Sequence, residues 1–379
     1  MSNLRIAYVI NDASFFISHR LPLALKVIEM GGKVCLITGT NINKDIEEKS
    51  ILTLKKNKIS LHRCKFSQGV NNPISELIGL FQLINYLRKF KPTTVHSVTA
   101  KANLMTSIAC NFFKHKKLII SISGMGTLFT GKLGVKKLIF QKIFTFLLRR
   151  ALKRIKFKFI FQNKEDYYNY KSIIHIDENQ FKIINGSGVD TFKLKPMAKK
   201  SNVLKVLLPA RMLFEKGIEE FVNASKILKE KKIEGEFYLA GDTVSLNPSA
   251  IDKMKIDCWV KKGLVIYLGH IIDLHKMYSD IDIVCLPSWR EGFPKVLMEA
   301  ASFGIPIITT DVPGCRDAVI NNKTGIIVPV RNEIKLADAI TKLFKNKSLR
   351  KKMGKENRNI ARKNFDLSVI VPKVVNLYE

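Results

Sequence analysis

The chain has 379 residues, a hydrophobic fraction of 46% and a formal net charge of +32. It is too long for a single core and suits two domains of fewer than about 200 residues each. No apolar run reaches the roughly 18–20 residues of a membrane span. The six cysteines, at 35, 64, 110, 258, 285 and 315, form no Cys-x-x-Cys pair, which argues against a zinc site or a disulfide framework and for a reducing cytosol.

In chain order, "MSNLRIAYVIND" reads as a buried first strand and not as a signal peptide. The pattern "HRLPLALKVIEMGG" reads as helix and "KVCLITG" as strand, which makes a β-α-β unit of a parallel sheet. Strands are expected at "TTVHSV", "KLIISISG" and "FKFIFQN", with helices such as "ELIGLFQLINYLRKF" between them. The rhythm restarts at "VLKVLLPA" and continues through "EGEFYLAG", "LVIYLG", "DIVCLP", "IPIITT" and "GIIVP". This predicts an α/β chain of two doubly wound parallel-sheet domains. The seam is placed at the polar, lysine-rich stretch 191–202, giving domains 1–195 and 196–365, with a helix over 366–379 crossing back to the first. Ligands of such sheets bind at the carboxyl ends of strands. The first of those loops, "NDASFF", has no Gly-x-Gly-x-x-Gly, which argues against a dinucleotide there.

The charge is lopsided. Residues 1–200 hold 35 Lys/Arg against 11 Asp/Glu, and residues 201–379 hold 29 against 21. No acidic residue occurs between Glu76 and Glu165. A lysine-rich composition accounts for a mild general excess, but not for this acid-free stretch, whose field attracts phosphates, anionic head groups or nucleic acid.

Two motifs carry chemistry. In "REGFPKVLMEA", residues 290–300, Glu291 and Glu299 bracket a Gly-Phe-Pro turn. Pro294 is expected as the first helical residue, with the N–H groups of Lys295, Val296 and Leu297 facing an anion. The plain alternative is an acidic first turn favoured by the helix dipole. Glu299 weakens it, because a carboxylate inside an apolar helix needs a partner. In "PARMLFEKGIEEF", residues 209–221, Arg211 and Lys216 follow a strand and suit a diphosphate. "DID" at 280–282 spells an Asp-x-Asp metal signature but straddles a helix end and a strand start, so no metal site is assigned.

Together, "ARMLFEKG", "GD" at 241–242, "YLGHIIDLHKMYSDIDIVCLPS" and "EGFPKVLMEAASFGIPIITTDVPG" resemble the family 4 retaining glycosyltransferases. The resemblance implies a GT-B fold, with two Rossmann-like domains facing across a cleft. "FFISHRLPLAL", "VHSVTAKAN", "SGMGTLFTG" and "FQNKEDYYNY" resemble the branch acting on polyprenyl-diphosphate-linked sugars in bacterial O-antigen, capsule and N-glycan assembly. On this resemblance Arg211 and Lys216 grip the donor diphosphate and Glu299 binds the ribose. Glu291, with Gly292 and Phe293, holds the transferred sugar. Pro294, Lys295, Val296, Leu297, Gly241 and His270 complete the donor side. Asp12, His19, Lys101, Gly124 and Gly126 are the acceptor-side candidates. Where many relatives carry a histidine two residues after His96, this chain has Val98, so no catalytic histidine is assigned. The donor is expected to be a UDP-sugar, with UDP-GalNAc the best guess, used without a metal cofactor. The acceptor is expected, on the same resemblance, to be an undecaprenyl-diphosphate-linked saccharide.

Residues 132–159 hold ten basic residues and no acid, interleaved with Leu138, Ile139, Phe140, Ile143, Phe144, Phe146, Leu147 and Leu148. An ordinary helix packed on the sheet is the simple reading. A basic, aromatic-rich amphipathic helix also suits contact with anionic membrane lipids, through Lys136, Lys137, Phe140, Phe144, Arg149 and Arg150. Localisation at the inner face of the cytoplasmic membrane follows. Two other readings were weighed. A GT-B nucleotide-sugar epimerase gives the cationic N-terminal half no purpose. A basic nucleic-acid-binding protein leaves Glu291 and Glu299 unexplained and shows no aromatic-basic readout strand.

Overall fold

The structure is a computed structural model. It describes residues 4–41, 43–66, 72–113, 117–124, 134–199, 201–243, 247–271 and 273–379. The chain divides into two compact units, Met1–Ser187 with Ile370–Glu379, and Gly188–Val369.

The first unit is a parallel sheet of seven strands: β1 Arg5–Ile10, β2 Lys33–Thr38, β3 Ser60–Arg63, β4 Thr94–Val98, β5 Lys117–Ile122, β6 Lys156–Phe161 and β7 Phe181–Ile183, in the order β3-β2-β1-β4-β5-β6-β7. The second has six parallel strands: β8 Lys205–Pro209, β9 Glu236–Ala240, β10 Ile266–Tyr267, β11 Ile283–Leu286, β12 Ile307–Thr310 and β13 Gly325–Val328, in the order β10-β9-β8-β11-β12-β13. Both are doubly wound α/β folds, as the alternating runs predict. The expectations passed over β3 and β7. Both are short sheet-edge strands with no buried residue, so neither carries the continuous apolar run that marks a central strand.

Successive strand residues point to opposite faces, and the cores follow that alternation. In the second unit Val206, Leu208 and Cys285 pack on one side of the sheet, and Leu207, Val284 and Leu286 on the other. In the first unit Ala7 and Val9 join a cluster with the inner faces of helices Pro73–Phe90, Ala100–Cys110 and Val135–Leu152. Between them Tyr8 points to the opposite face, where it meets Phe16 edge-on at 5.2 Å.

The C-terminal residues return to this second face. The Tyr378 hydroxyl lies 2.7 Å from His96 Nδ1 and 2.9 Å from the Tyr8 hydroxyl. His96 Nε2 lies 2.8 Å from Ser121 Oγ, and the Thr94 hydroxyl donates to the Tyr378 carbonyl. Burial, with Arg20 nearby, holds the His96 imidazole well below the usual histidine range, so it stays neutral and bonds through both nitrogens.

Two outcomes follow. Tyr378→Phe strands the buried partners His96 and Tyr8 and is expected to cost roughly 1–3 kcal/mol in denaturant unfolding. The unfolded chain also protonates His96 before the folded chain does. Stability therefore holds above the unfolded value near 6.5 and declines as pH falls below it. His96→Gln should flatten that decline; an unchanged slope would show that His96 is not its source.

Candidate active site

β8 and β11 are neighbours whose connections leave in opposite directions, the point at which such sheets open a crevice. The residues of both motifs meet there. Arg211 is exposed just past β8. A short helical turn, Phe214–Lys216, then delivers Lys216. The Lys216 ammonium pairs with Glu291 from the loop after β11, and the Ser288 hydroxyl donates to Glu291 at 2.9 Å.

The loop after β11 is braced from three sides. The Trp289 amide donates to the Glu215 carbonyl at 2.9 Å, and its indole N–H to Glu220 at 2.8 Å. The Arg331 guanidinium lies 3.9 Å from the centre of the Trp289 ring. The Thr310 hydroxyl, at the end of β12, donates to the Ser288 carbonyl. Ser288 itself is fully buried.

The helix after this loop runs Lys295–Ser302 and starts one residue later than expected. Pro294 is its N-cap, with ψ 122° in the extended region, and is not its first helical residue. The Leu297 N–H bonds the Pro294 carbonyl at 3.1 Å, so it is not available to a ligand as predicted. Phe293 is buried, 5.6 Å edge-on from Phe365. Gly292 is buried beside it.

Glu299 is buried, as the apolar surroundings of its helix imply. It accepts from the Tyr278 hydroxyl at 3.2 Å, and the Lys295 ammonium lies 3.6 Å away. Burial pushes its carboxyl up, opposed by Lys295 and Tyr278, and burial beside Glu299 pushes the Tyr278 phenol well above its usual range. Tyr278 and Ser288 were absent from the expected site. Nothing in "KMYSD" or "LPSWRE" marks them, since each acts only by facing a glutamate brought in by the fold.

Gly241 has φ +145°, and a Cβ there would lie 2.0 Å from the Ala210 carbonyl oxygen. Glycine is what lets the loops after β8 and β9 touch. The Gly241 amide bonds the Gly269 carbonyl at 2.8 Å, which brings half-exposed His270 within 3.3 Å of Asp242. Asp280 and Asp282 of the "DID" segment lie 3.2 and 2.6 Å from the ammonium groups of Lys205 and Lys199.

The acceptor-side candidates belong to the first unit. Asp12 caps the helix Ala13–His19, accepting from the Phe15 amide at 2.9 Å. His19 stacks on Phe15 at 4.2 Å. Lys101 pairs with Glu76 at 2.8 Å. Gly124 has φ +113°, while Gly126 lies outside the described residues. Thr99, between the strand β4 and Lys101, holds φ +82° and donates its hydroxyl to Asn11 at 2.7 Å. Such a backbone in a β-branched residue costs about 1–3 kcal/mol.

One lipid-side expectation is overturned. Phe144 is buried in the core with Leu148 and Leu152, because a helix lying on a sheet must turn one stripe inward. Phe140 is 47% exposed. Arg149 and Arg150 are exposed, the former bonding the Ile173 carbonyl. The side chains of Lys136 and Lys137 lie outside the described residues.

Residues 190–360 match the family described as glycosyl transferases group 1, and residues 5–163 match glycosyl transferase 4-like. The chain belongs to the family 4 glycosyltransferases. Its similar proteins include an N,N'-diacetylbacillosaminyl-diphospho-undecaprenol alpha-1,3-N-acetylgalactosaminyltransferase of Campylobacter jejuni, 27% identical over 83% of this chain and 84% of the relative. The capsular polysaccharide biosynthesis glycosyltransferase CapM of Staphylococcus aureus is 27% identical over 80% and 81%. Among solved structures, a Rickettsia africae glycosyltransferase superposes with TM-score 0.77 at 20% identity, covering 100% of this chain and 98% of that one. Anabaena HepE in complex with UDP superposes with TM-score 0.77 at 15% identity, covering 98% and 99%. Both share the GT-B fold of this glycosyltransferase.

Gly314 tests the loop geometry without touching a candidate side chain. It has φ +69°, and a Cβ there would lie 2.2 Å from the Gly292 carbonyl oxygen. Gly314→Ala is expected to displace the Gly292–Phe293 turn and lower sugar-transfer kcat/KM by about tenfold or more. Wild-type kinetics would show that the turn does not position the site.

Proposed function

We propose that this glycosyltransferase moves a hexose or N-acetylhexosamine, with retention of configuration, from a UDP-sugar to an undecaprenyl-diphosphate-linked saccharide during surface polysaccharide assembly. UDP-GalNAc is the preferred donor in this reading. The observation that carries it is the pair of glutamates, one in the loop before a helix and one inside that helix, held in different environments beside two cations. The names of the relatives support the acceptor class: the Campylobacter protein, and an Escherichia coli UDP-Gal:alpha-D-GlcNAc-diphosphoundecaprenol alpha-1,3-galactosyltransferase, 24% identical over 80% of each chain.

In this reading Glu299 accepts from the ribose hydroxyls, and Tyr278 and Lys295 fix its carboxylate for that purpose. Arg211 and Lys216 neutralise the diphosphate as it departs with its charge, a term that usually dominates such transfers. Lys216 sits between two anions, so the incoming diphosphate shares it with Glu291. Glu291, steadied by Ser288, receives the hydroxyls of the transferred sugar near the anomeric carbon. No divalent cation is required in this scheme. The enzyme works at the inner face of the cytoplasmic membrane, where a lipid-borne acceptor resides. Attachment is peripheral in this reading; among the described residues, no helix is long and apolar enough to cross a membrane.

Purified enzyme, assayed with a panel of nucleotide-sugars and an undecaprenyl-diphosphate-saccharide, should form one α-linked product from a UDP-sugar. Activity is expected to survive EDTA; loss on chelation that magnesium or manganese restores refutes the metal-free scheme. Glu299→Ala should weaken binding of free UDP by roughly ten- to a hundredfold, the 1.5–3 kcal/mol of a charged hydrogen bond. Glu291→Gln should leave UDP affinity nearly intact and lower kcat strongly. The reverse pattern would mean that the two glutamates have exchanged roles.

A further inference from the structure

One cation of the first unit is held away from water with no opposite charge beside it. Arg20 stands between helix Ala13–His19 and helix Leu21–Glu29. Its amide bonds the Phe16 carbonyl at 2.7 Å, and its carbonyl accepts from the Ala24 amide at 3.1 Å, so both helices fix its backbone. The residue is only 5% exposed. One guanidinium N–H donates to the His19 carbonyl at 3.1 Å, while Nε is buried without a partner. The groups that act on its charge are the phenols of Tyr8 and Tyr378. Burial pushes both phenols up, so each stays neutral, and a guanidinium keeps its proton at neutral pH. Among the described residues, the charge of Arg20 therefore meets dipoles but no carboxylate. A buried charge left in that condition is costly.

Arg20 borders a cavity of about 10 Å³, close to the room that one water-sized group needs. The lining belongs wholly to the first unit. His96 and Ser121 form one wall, tied to each other at 2.8 Å. Gln162 forms another and is 6% exposed. Its backbone carbonyl accepts from the Asn185 side chain at 3.1 Å, but its side-chain amide has no partner among the described residues. Two buried, unsatisfied side chains, Arg20 and Gln162, thus share one small space. Leu23, in the first turn of helix Leu21–Glu29, also borders it, and that end of a helix carries the positive half of its dipole.

We infer that this cavity binds one monatomic anion, chloride, as the counter-ion of Arg20, held by Arg20 Nε and the Gln162 amide. Size and charge select the occupant. A phosphate or a carboxylate exceeds the space, and a water molecule satisfies donors without balancing the charge. The ion is structural. It neutralises a cation at the junction of two helices, beside the Tyr8–His96–Tyr378 tie, and neither sugar donor nor acceptor takes part.

The net charge of +32 lets any salt act on this chain by screening, so anions are compared at fixed ionic strength. Thermal unfolding of the full chain is followed as sodium chloride replaces sodium gluconate. The wild-type midpoint should rise with the logarithm of chloride concentration once the site begins to fill, since the ion binds only the folded state. Gln162→Leu should need about tenfold or more chloride for the same rise, the loss of one hydrogen bond to a charged group. Arg20→Met should show no chloride response; if it does not fold, Gln162→Leu decides. Crystals grown in sodium bromide should give an anomalous peak at hydrogen-bond distance from Arg20 Nε. Equal midpoints in chloride and gluconate overturn the inference. A Gln162→Leu response equal to wild type assigns the effect to surface charge and overturns it too. So does a bromide crystal with only water between Arg20 and Gln162.

Discussion

The Lys216–Glu291 ion pair is the constraint around which the second unit is arranged. It joins loops 75 residues apart in sequence, and both side chains are more than four-fifths buried. Removing a cation and a carboxylate from water is costly, and the cost is offset only when geometry and extra hydrogen bonds are good. The surroundings supply them: Ser288 donates to the carboxylate, and the Trp289–Glu215, Trp289–Glu220 and Thr310–Ser288 bonds fix the loop that carries it. The result is a preorganised pair at the switch point of the sheet.

The two glutamates differ because their supports differ. Glu291 stands in a loop, against a lysine and a serine. Glu299 is inside a helix, against a tyrosine, with the lysine one turn back on the same helix. Burial favours its neutral form, and Lys295 counters that. The loop before this helix and the helix itself thus offer two carboxylates of unlike environment within eight residues of sequence.

The first unit is organised differently. Its core is closed on one sheet face by three helices, and on the other Phe16 of helix Ala13–His19 is joined by the C-terminal residues, which Tyr378 fastens to Tyr8 and His96.

The sequence by itself determined the sheet-forming runs, the two-unit plan, the glutamate helix and the basic pair, because buried strands and amphipathic helices write their periodicity directly into the chain. It determined the family too, since the matching stretches are local. The tertiary structure decided what no local pattern records. β3 and β7 lie at sheet edges and bury too little to leave an apolar run. Pro294 became a cap because its ψ stayed extended, and Phe144 turned inward because helix Val135–Leu152 had to bury one stripe on the sheet. Asp12 serves its own helix as an N-cap. Ser288, Tyr278 and Tyr378 acquired partners 3, 21 and 282 residues away. Which side chains face one another across such separations depends on strand order and loop approach, and those are settled only when the whole sheet closes around its core.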